Sequence, residues 1–186
     1  MSLPTVIILA AGKGERFLAS GATTHKLDAR LAGKTVLSHL LQAVQLSGLK
    51  WHLVRPEGGT GGIGDSIAIG VRATSDAAGW LILPADLPLI KPASLQRVAD
   101  ALRENLIVVP HYRQQQGHPV GFSREYLTSL SALSGDIGAR KIVRDARQRG
   151  NVLDMALTDA GAVRDIDQLS DLRLAQRWLS ARHNCG

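Results

Sequence analysis

The chain has 186 residues, 45% of them apolar, which is long enough for a substantial core and too apolar for a disordered chain. Its net charge of +6 suits anionic ligands, but only 4% of residues are aromatic, too few to interleave a basic surface with stacking rings for nucleic acid. No apolar run approaches the roughly 20 residues needed to cross a bilayer.

The elements follow in chain order. Val6 to Ala10 form an apolar run within a buried strand over 5–10. That strand opens into Ala11-Gly12-Lys13-Gly14-Glu15-Arg16, a glycine-bracketed loop carrying two cations. Such a loop brings backbone N–H groups and positive charge close to phosphates. Apolar positions at helical spacing predict a helix over 35–47, stopped at Ser47-Gly48. Trp51–Val54 reads as a short strand, and Glu57 to Gly64, with five glycines, as a loop. Asp65-Ser66 read as the start of the next helix, which carries Ile67, Ala68 and Val71. Trp80–Leu83 is a buried strand stopped by Pro84. A helix over 93–103 follows Pro92, and a strand over Leu106–Val109 is closed by Pro110. Val120–Phe122 reads as a short antiparallel strand. Helices follow near 123–132 and 137–148, the latter with a basic solvated face, and a last helix over 168–182 packs back on the core.

Buried strands alternating with helices predict an α/β fold, a three-layer α/β/α sandwich around a mainly parallel, doubly wound, Rossmann-like sheet. Ligands of such sheets lie outside the carboxyl ends of the strands, which puts Ala11–Arg16 and Pro84–Pro88 on one rim. The two common nucleotide motifs fail. A dinucleotide fingerprint needs glycine where Phe17 stands, and a Walker A loop ending at Gly33-Lys34-Thr35 needs glycine where Asp28 stands.

Asp86 sits between Pro84 and Pro88 at a strand end, a costly place for a charge that is neither paired nor metal-bound. Oxygen ligation there suits Mg²⁺. In Arg164-Asp165-Ile166-Asp167, an extended backbone puts both aspartates on one side, where either one supplies a second carboxylate to the same metal or Asp167 serves as a helix N-cap. His118, before Pro119, reads as a proton carrier, a phosphate donor or a plain turn residue. Gly135-Asp136 precedes the 137–148 helix as a turn or cap. Cys185 has no disulfide partner, and Met1–Pro4 hold no leader segment. These features predict a single cytoplasmic domain over 1–186, with no membrane or nucleic-acid partner.

Taken together, L-A-A-G-x-G-x-R at 9–16, Lys26-Leu27, Gly62–Ser66, Pro84–Pro88, Gly117–Phe122, Gly135–Arg140 and Asp165–Asp167 resemble the MobA-like NTP transferases. Within them the chain is most similar to the molybdenum cofactor cytidylyltransferase branch. The resemblance covers nearly the whole chain and implies a nucleotide-diphospho-sugar-transferase-like fold. It implies a Mg²⁺-dependent nucleotidyltransferase that moves CMP from CTP to a phosphorylated acceptor, molybdopterin or the molybdenum cofactor, with a molybdoenzyme as possible partner.

Carried over by position, it implies that Leu9, Ala10, Ala11, Gly12, Gly14, Gly62, Gly64 and Ser66 hold the nucleotide. Arg16 and Lys26 meet the triphosphate, Asp86 and Asp167 ligate the metal, and His118, Pro119, Asp136 and Arg140 face the acceptor. The Ala10-Ala11 pair resembles members that use pyrimidine nucleotides. Two departures stand out. Phe17–His25 forms an expanded loop, and Trp51–Val54 runs almost straight into the glycine tract, so the sheet is expected to lack a βα unit and the pocket to be more open. The alternatives are a transferase acting on a sugar or polyol phosphate with CTP, UTP or GTP, and a non-catalytic binder that delivers the cofactor.

Overall fold

The computed structural model describes residues 2–185; Met1 and Gly186, the ends of the expected domain, lie outside the described residues. The elements in order are β1 (Thr5–Leu9), α1 (Glu15–Ala19), β2 (Arg30–Leu31), β3 (Lys34–Thr35), α2 (Val36–Leu46) and β4 (Trp51–Val54). Then come α3 (Ile63–Ala73), β5 (Gly79–Pro84), α4 (Pro92–Ala101), β6 (Ile107–Tyr112), β7 (Gln115–Gln116) and β8 (Val120–Ser123). α5 (Leu127–Ser131), α6 (Arg140–Gln148), β9 (Val152–Ala156) and α7 (Leu169–Asn184) complete the chain.

Seven strands form one sheet in the order β4-β1-β5-β8-β6, with β9 on the far side of β6 and β7 continuing the β8 side as a hairpin. β4, β1, β5, β6 and β9 run one way, and β8 and β7 run against them. The sheet is therefore mixed and mostly parallel. β2 and β3 make a separate two-stranded ribbon.

Strand alternation divides the core into two layers. Val6, Ile8, Leu81, Leu83 and Val108 point to one face, where α2 and α4 bring Val36, Leu40, Leu95 and Val98, and α7 brings Ala175. Ile7, Trp80, Ile82, Ile107 and Val109 point to the other, against Ile67 and Val71 of α3, Leu130 of α5 and Ala146 of α6. This is the expected three-layer sandwich.

Three local expectations are corrected. β6 does not stop at Pro110 but passes through it to Tyr112. The Pro110 carbonyl accepts from Gly117 N–H at 2.8 Å, while Ile107 N–H and the His111 carbonyl bond on the β9 side. The missing N–H of Pro110 thus faces away from β9 and costs no bond there. α3 starts at Ile63, with Gly62 as its N-cap, so Asp65 and Ser66 lie inside its first turn. α6 starts at Arg140, because Gly135 to Ile137 are bound up in another contact described below.

β9 was not foreseen. It is an edge strand of mixed exposure, and its centre is pinned electrostatically. Asp154 accepts from His111 Nε2 of β6 at 2.7 Å and pairs with Arg147 of α6. The Arg147 bond, ahead of that from His111, holds the Asp154 carboxyl below its usual range. A carboxyl so depressed stabilises the fold above its unfolded pKa and loses that contribution as pH falls through the lower folded value. Asp154→Asn is therefore expected to be less stable than wild type by chemical denaturation at neutral pH, with the gap closing as pH falls below about 4.

Candidate nucleotide site

The site stands on the rim where β1, β4 and β5 end. β1 and β5 pair in parallel from Thr5↔Trp80 to Leu9↔Pro84, and the alignment continues with Ala85 N–H donating to the Leu9 carbonyl at 2.9 Å. Chain geometry alone thus delivers the glycine loop and Asp86 to one place. Around them lies a cavity of about 600 Å³.

Gly14 takes a left-handed φ of 66°, and a side chain there would meet the His25 ring at 3.2 Å. Gly12 has open space where its side chain would be. His25 fastens the loop from behind. Its Nδ1 accepts from Leu27 N–H at 3.2 Å, which leaves the proton on Nε2, and Nε2 donates to the Gly12 carbonyl at 2.7 Å. One neutral imidazole therefore ties the glycine loop to the turn that carries Lys26. The expanded segment is in large part ordered: α1 buries Phe17 in the core, and Lys26–Asp28 form a 3-10 turn.

Two ion pairs span the cavity. Lys26 Nζ donates to Asp86 Oδ2 at 2.8 Å, with both side chains mostly buried (17% and 19% exposed). Arg16 Nη1 donates to Asp167 Oδ2 at 3.2 Å, with Arg16 78% exposed. A backbone bond from Ile166 N–H to the Asp86 carbonyl, 2.8 Å, sets the 165–167 segment beside Asp86.

The N-cap of α7 is Gln168, in a capping box with Asp171, so Asp167 is not the cap and its carboxylate turns to Arg16. Asp165 and Asp167 do not share a side. The segment is not a strand, so alternation does not govern it; Asp167 lines the first cavity and Asp165 a second one. The Asp165 carboxyl is pushed up, mainly by partial burial and then by the charge of Asp86.

The far wall comes from the glycine tract. Ser66, 4% exposed, donates to the Gly62 carbonyl and shares a hydrogen bond with Thr60. A strap of residues 134–137 crosses the start of α3. Gly64 N–H donates to the Gly135 carbonyl at 2.8 Å, and Asp65 accepts from Gly135 N–H at 3.1 Å. A Cβ on Gly64 would stand 2.3 Å from the Ile137 carbonyl, and one on Gly62 2.3 Å from Asp136 Oδ1.

Leu9, Ala10, Ala11, Gly12, Gly14, Gly62 and Ser66 line the cavity together with Arg16, Lys26, Asp86, Asp136 and Asp167. Gly64 lies beneath the lining. Asp136 lines this cavity, while His118, Pro119 and Arg140 line neither it nor the second. His118 joins a cis bond to Pro119, and its Nδ1 is buried with no hydrogen-bond partner among the described residues. Burial lowers the imidazole pKa, against the pull of Asp86. His25 and Thr60, both lining the cavity, were missed from the sequence. The signal for each was slight: a histidine just before Lys26, and a lone hydroxyl inside a glycine tract.

Among the described residues, no group of three or more acidic, His or Cys side chains is placed to hold a metal ion by itself. Two carboxylates on one cavity wall, next to two phosphate-seeking cations, fit a hard divalent cation that takes its remaining ligands from phosphates and water, rather than an all-protein cage.

Two substitutions probe this geometry. Gly64→Ala forces the strap off α3 and is expected to cost about 1–3 kcal/mol, the range for overpacking, and to weaken nucleotide binding, checked by denaturation and by titration. His25→Asn keeps an acceptor for Leu27 N–H but cannot reach Gly12. It should hold its stability within about 1 kcal/mol of wild type, while His25→Ala loses the cap as well. Both should bind nucleotide more weakly, checked by thermal melts with and without nucleotide.

A model of the MobA-like NTP transferase domain matches residues 43–152. Among curated proteins, the bifunctional protein GlmU of Xanthomonas axonopodis pv. citri is 26% identical over 206 residues, covering 99% of this chain and 41% of its own. That of Xanthomonas euvesicatoria pv. vesicatoria is 30% identical over 182 residues, covering 86% and 38%. The chain thus spans about two fifths of the length of the curated relatives it matches. Among solved structures, Rv0371c from Mycobacterium tuberculosis superposes with a TM-score of 0.76 at 25% identity, covering 95% of this chain and 98% of that one. A manganese complex of the same protein gives 0.71 at 23%, over 95% and 98%. A nucleotidyl transferase from Methanothermobacter (Mth528) gives 0.75 at 21%, over 96% and 99%. Molybdopterin-guanine dinucleotide biosynthesis protein A from Archaeoglobus fulgidus gives 0.63 at 16%, over 95% and 99%. Those below 25% identity speak to the fold alone. The matched domain covers more than half of the chain and includes α3, β5 and the Asp86 loop, and the chain belongs to the MobA-like NTP transferase family.

Proposed function

We propose that the chain, acting as one domain, transfers a nucleoside monophosphate from its triphosphate to a phosphorylated acceptor. The observation that carries this reading is the convergence of a glycine loop, two cations and two carboxylates around one cavity at the carboxyl ends of parallel strands. A phosphate oxygen of the acceptor attacks the α-phosphorus, the α–β bridging P–O bond breaks, and pyrophosphate leaves with its electron pair. A phosphate acceptor is already ionised at neutral pH, so no general base is required. Rate then depends on positioning and charge stabilisation.

Asp86 and Asp167 are the residues that would hold a divalent cation, Mg²⁺ in the reading favoured here. When bound, it offsets charge on the reacting phosphates. Lys26 and Arg16, now paired with those carboxylates, turn to the triphosphate and the departing pyrophosphate. The Arg16 pair is largely exposed and costs little to open, while the buried Lys26 pair keeps its cation aimed into the cavity. Backbone from Leu9 to Gly14 and from Gly61 to Gly62 forms the walls for phosphates, ribose and base.

CTP is the favoured donor, supported by the resemblance of the Ala10-Ala11 pair to pyrimidine-using members. Molybdopterin is the favoured acceptor, supported by the match to the MobA-like domain. A molybdoenzyme is then the natural recipient of the product, in the cytoplasm. His118 and Pro119 stand on the same rim as Asp86, and Arg140 begins the helix behind the strap, in keeping with an acceptor that approaches from that side.

The test is thermal shift with CTP, GTP, UTP and ATP, with and without Mg²⁺, on wild type and Asp86→Asn. A ligand bound to the native state raises the melting temperature by mass action. A Mg²⁺-dependent shift, largest with CTP and lost in the variant, is expected. Lys26→Ala should lower kcat by about 10²–10³, the range for losing one charge-stabilising donor. A magnesium-independent shift that survives in Asp86→Asn would overturn the metal assignment, and no shift with any nucleotide would overturn the transferase.

A further inference from the structure

A second cavity, of about 360 Å³, opens on the same rim beyond Asp86. The β6–β7 hairpin forms one side, and residues 163–166 with α7 form the other. Two guanidinium groups face it, and each lies against an aromatic ring. Arg164 stands 3.6 Å from the centroid of Trp178, and Arg113 stands 5.3 Å from that of Tyr112. Neither has an ion pair among the described residues. Arg164 lies close over its ring, which leaves its edge N–H donors free to grip an oxyanion with two bonds, and Arg113 adds a second cation on the facing side.

The acids nearby do not cancel this charge. Asp171 is engaged with the N–H groups of Asp167 and Gln168. Asp165 alone remains opposite the two arginines.

The hairpin tip adds an independent sign. Arg113 and Gln114 take left-handed φ values of 47° and 67°, in a turn that ordinarily calls for Asn-Gly. Strained backbone of this kind persists where a side chain must be aimed.

The two cavities share a wall. Ile166 lines the second and bonds through its N–H to the Asp86 carbonyl, while Asp167 lines the first. A molecule reacting at Asp86 therefore has the second cavity within reach of its far end.

We infer that the second cavity binds an oxyanion, phosphate or carboxylate, beside the reaction at Asp86: the far end of the acceptor where that end is anionic, and a free anion where, as with molybdopterin, the acceptor carries only the phosphate that attacks. The inference rests on the transferase reading for its role in the reaction, but not for the existence of the anion site.

The experiment saturates the first cavity with CTP and Mg²⁺ and then titrates inorganic phosphate and, separately, acetate, following melting temperature and calorimetric heat. Wild type, Arg113→Gln, Arg164→Gln and the double variant are compared. Phosphate should bind the CTP-saturated wild type, and the double variant should lose about tenfold or more in phosphate affinity while keeping its CTP response. That retained response shows that the variant is folded. Arg164→Lys, which keeps charge but not the planar fork, should fall between. Stronger binding of phosphate than acetate marks the bound group as a phosphate, and the reverse marks a carboxylate. Phosphate binding that is absent in wild type, or unchanged in the double variant, overturns the site. If CTP fails to bind while phosphate binding still depends on the two arginines, the acceptor role falls with the transferase reading and the failure is assigned to that reading.

Discussion

The parallel pairing of β1 with β5 is the constraint on which the site depends. Its register runs unbroken from Thr5↔Trp80 to Leu9↔Pro84 and then into the Ala85–Leu9 bond. A slip of one residue would turn every side chain of β1 to the opposite layer and move the glycine loop off Asp86. The slip is resisted from both faces at once, because Val6 and Ile8 fill one layer and Ile7 the other. The functional rim is in this sense a by-product of core packing. The rim then recruits the distant chain end through backbone bonds, Ile166 N–H to the Asp86 carbonyl and His118 N–H to the Ala162 carbonyl, and Asp159 seals that turn by accepting from Lys91 N–H, Ser94 and Gly161 N–H.

The two carboxylates and the two cations at the heart of the cavity are paired one to one. Each carboxylate proposed for the metal holds a cation proposed for the phosphates. A mostly buried Asp86 without Lys26 would carry an uncompensated charge, which is why the pair belongs in the free protein. On the proposed reading, a metal–triphosphate complex exchanges partners with both pairs together, bringing positive charge for the carboxylates and negative charge for the cations. Metal alone or nucleotide alone satisfies only half of the exchange. The two are thus expected to bind with mutual assistance, a coupling that follows from charge balance and needs no change of fold.

The parts of the chain that were legible in sequence are those buried on both sides. β1 and β5 are continuous apolar runs, and α2 and α4 carry helical spacing and good terminal residues, so pattern and structure agree. Legibility failed where tertiary contacts overrode local signals. Asp65 looks like a cap, yet its carboxylate serves the strap. Pro110 looks like a stop, yet its missing N–H faces away from β9, so the β6–β9 pairing runs on past it. β9 is half exposed at a sheet edge and has no clean period. Within the site, the glycine loop, Lys26 and Asp86 could be read from composition and spacing. The partnership of Arg16 with Asp167, 151 positions apart, could not, nor could the parting of Asp165 from Asp167. His25 escaped notice because its role comes from two ring nitrogens facing two separate backbone groups, which no linear pattern records.

The strap over α3 is fastened by its main chain. Gly135 supplies both bonds, to Gly64 N–H and to the Asp65 carboxylate, and neither depends on the side chain of residue 136 or 137. Asp136 faces the cavity and Ile137 is 70% exposed. The path of this segment is therefore fixed while its chemistry is free. Over evolutionary time, substitution at 136 would retune what the cavity prefers without disturbing the scaffold, so that the same frame diversifies its ligands through a position whose side chain the strap's bonds do not use.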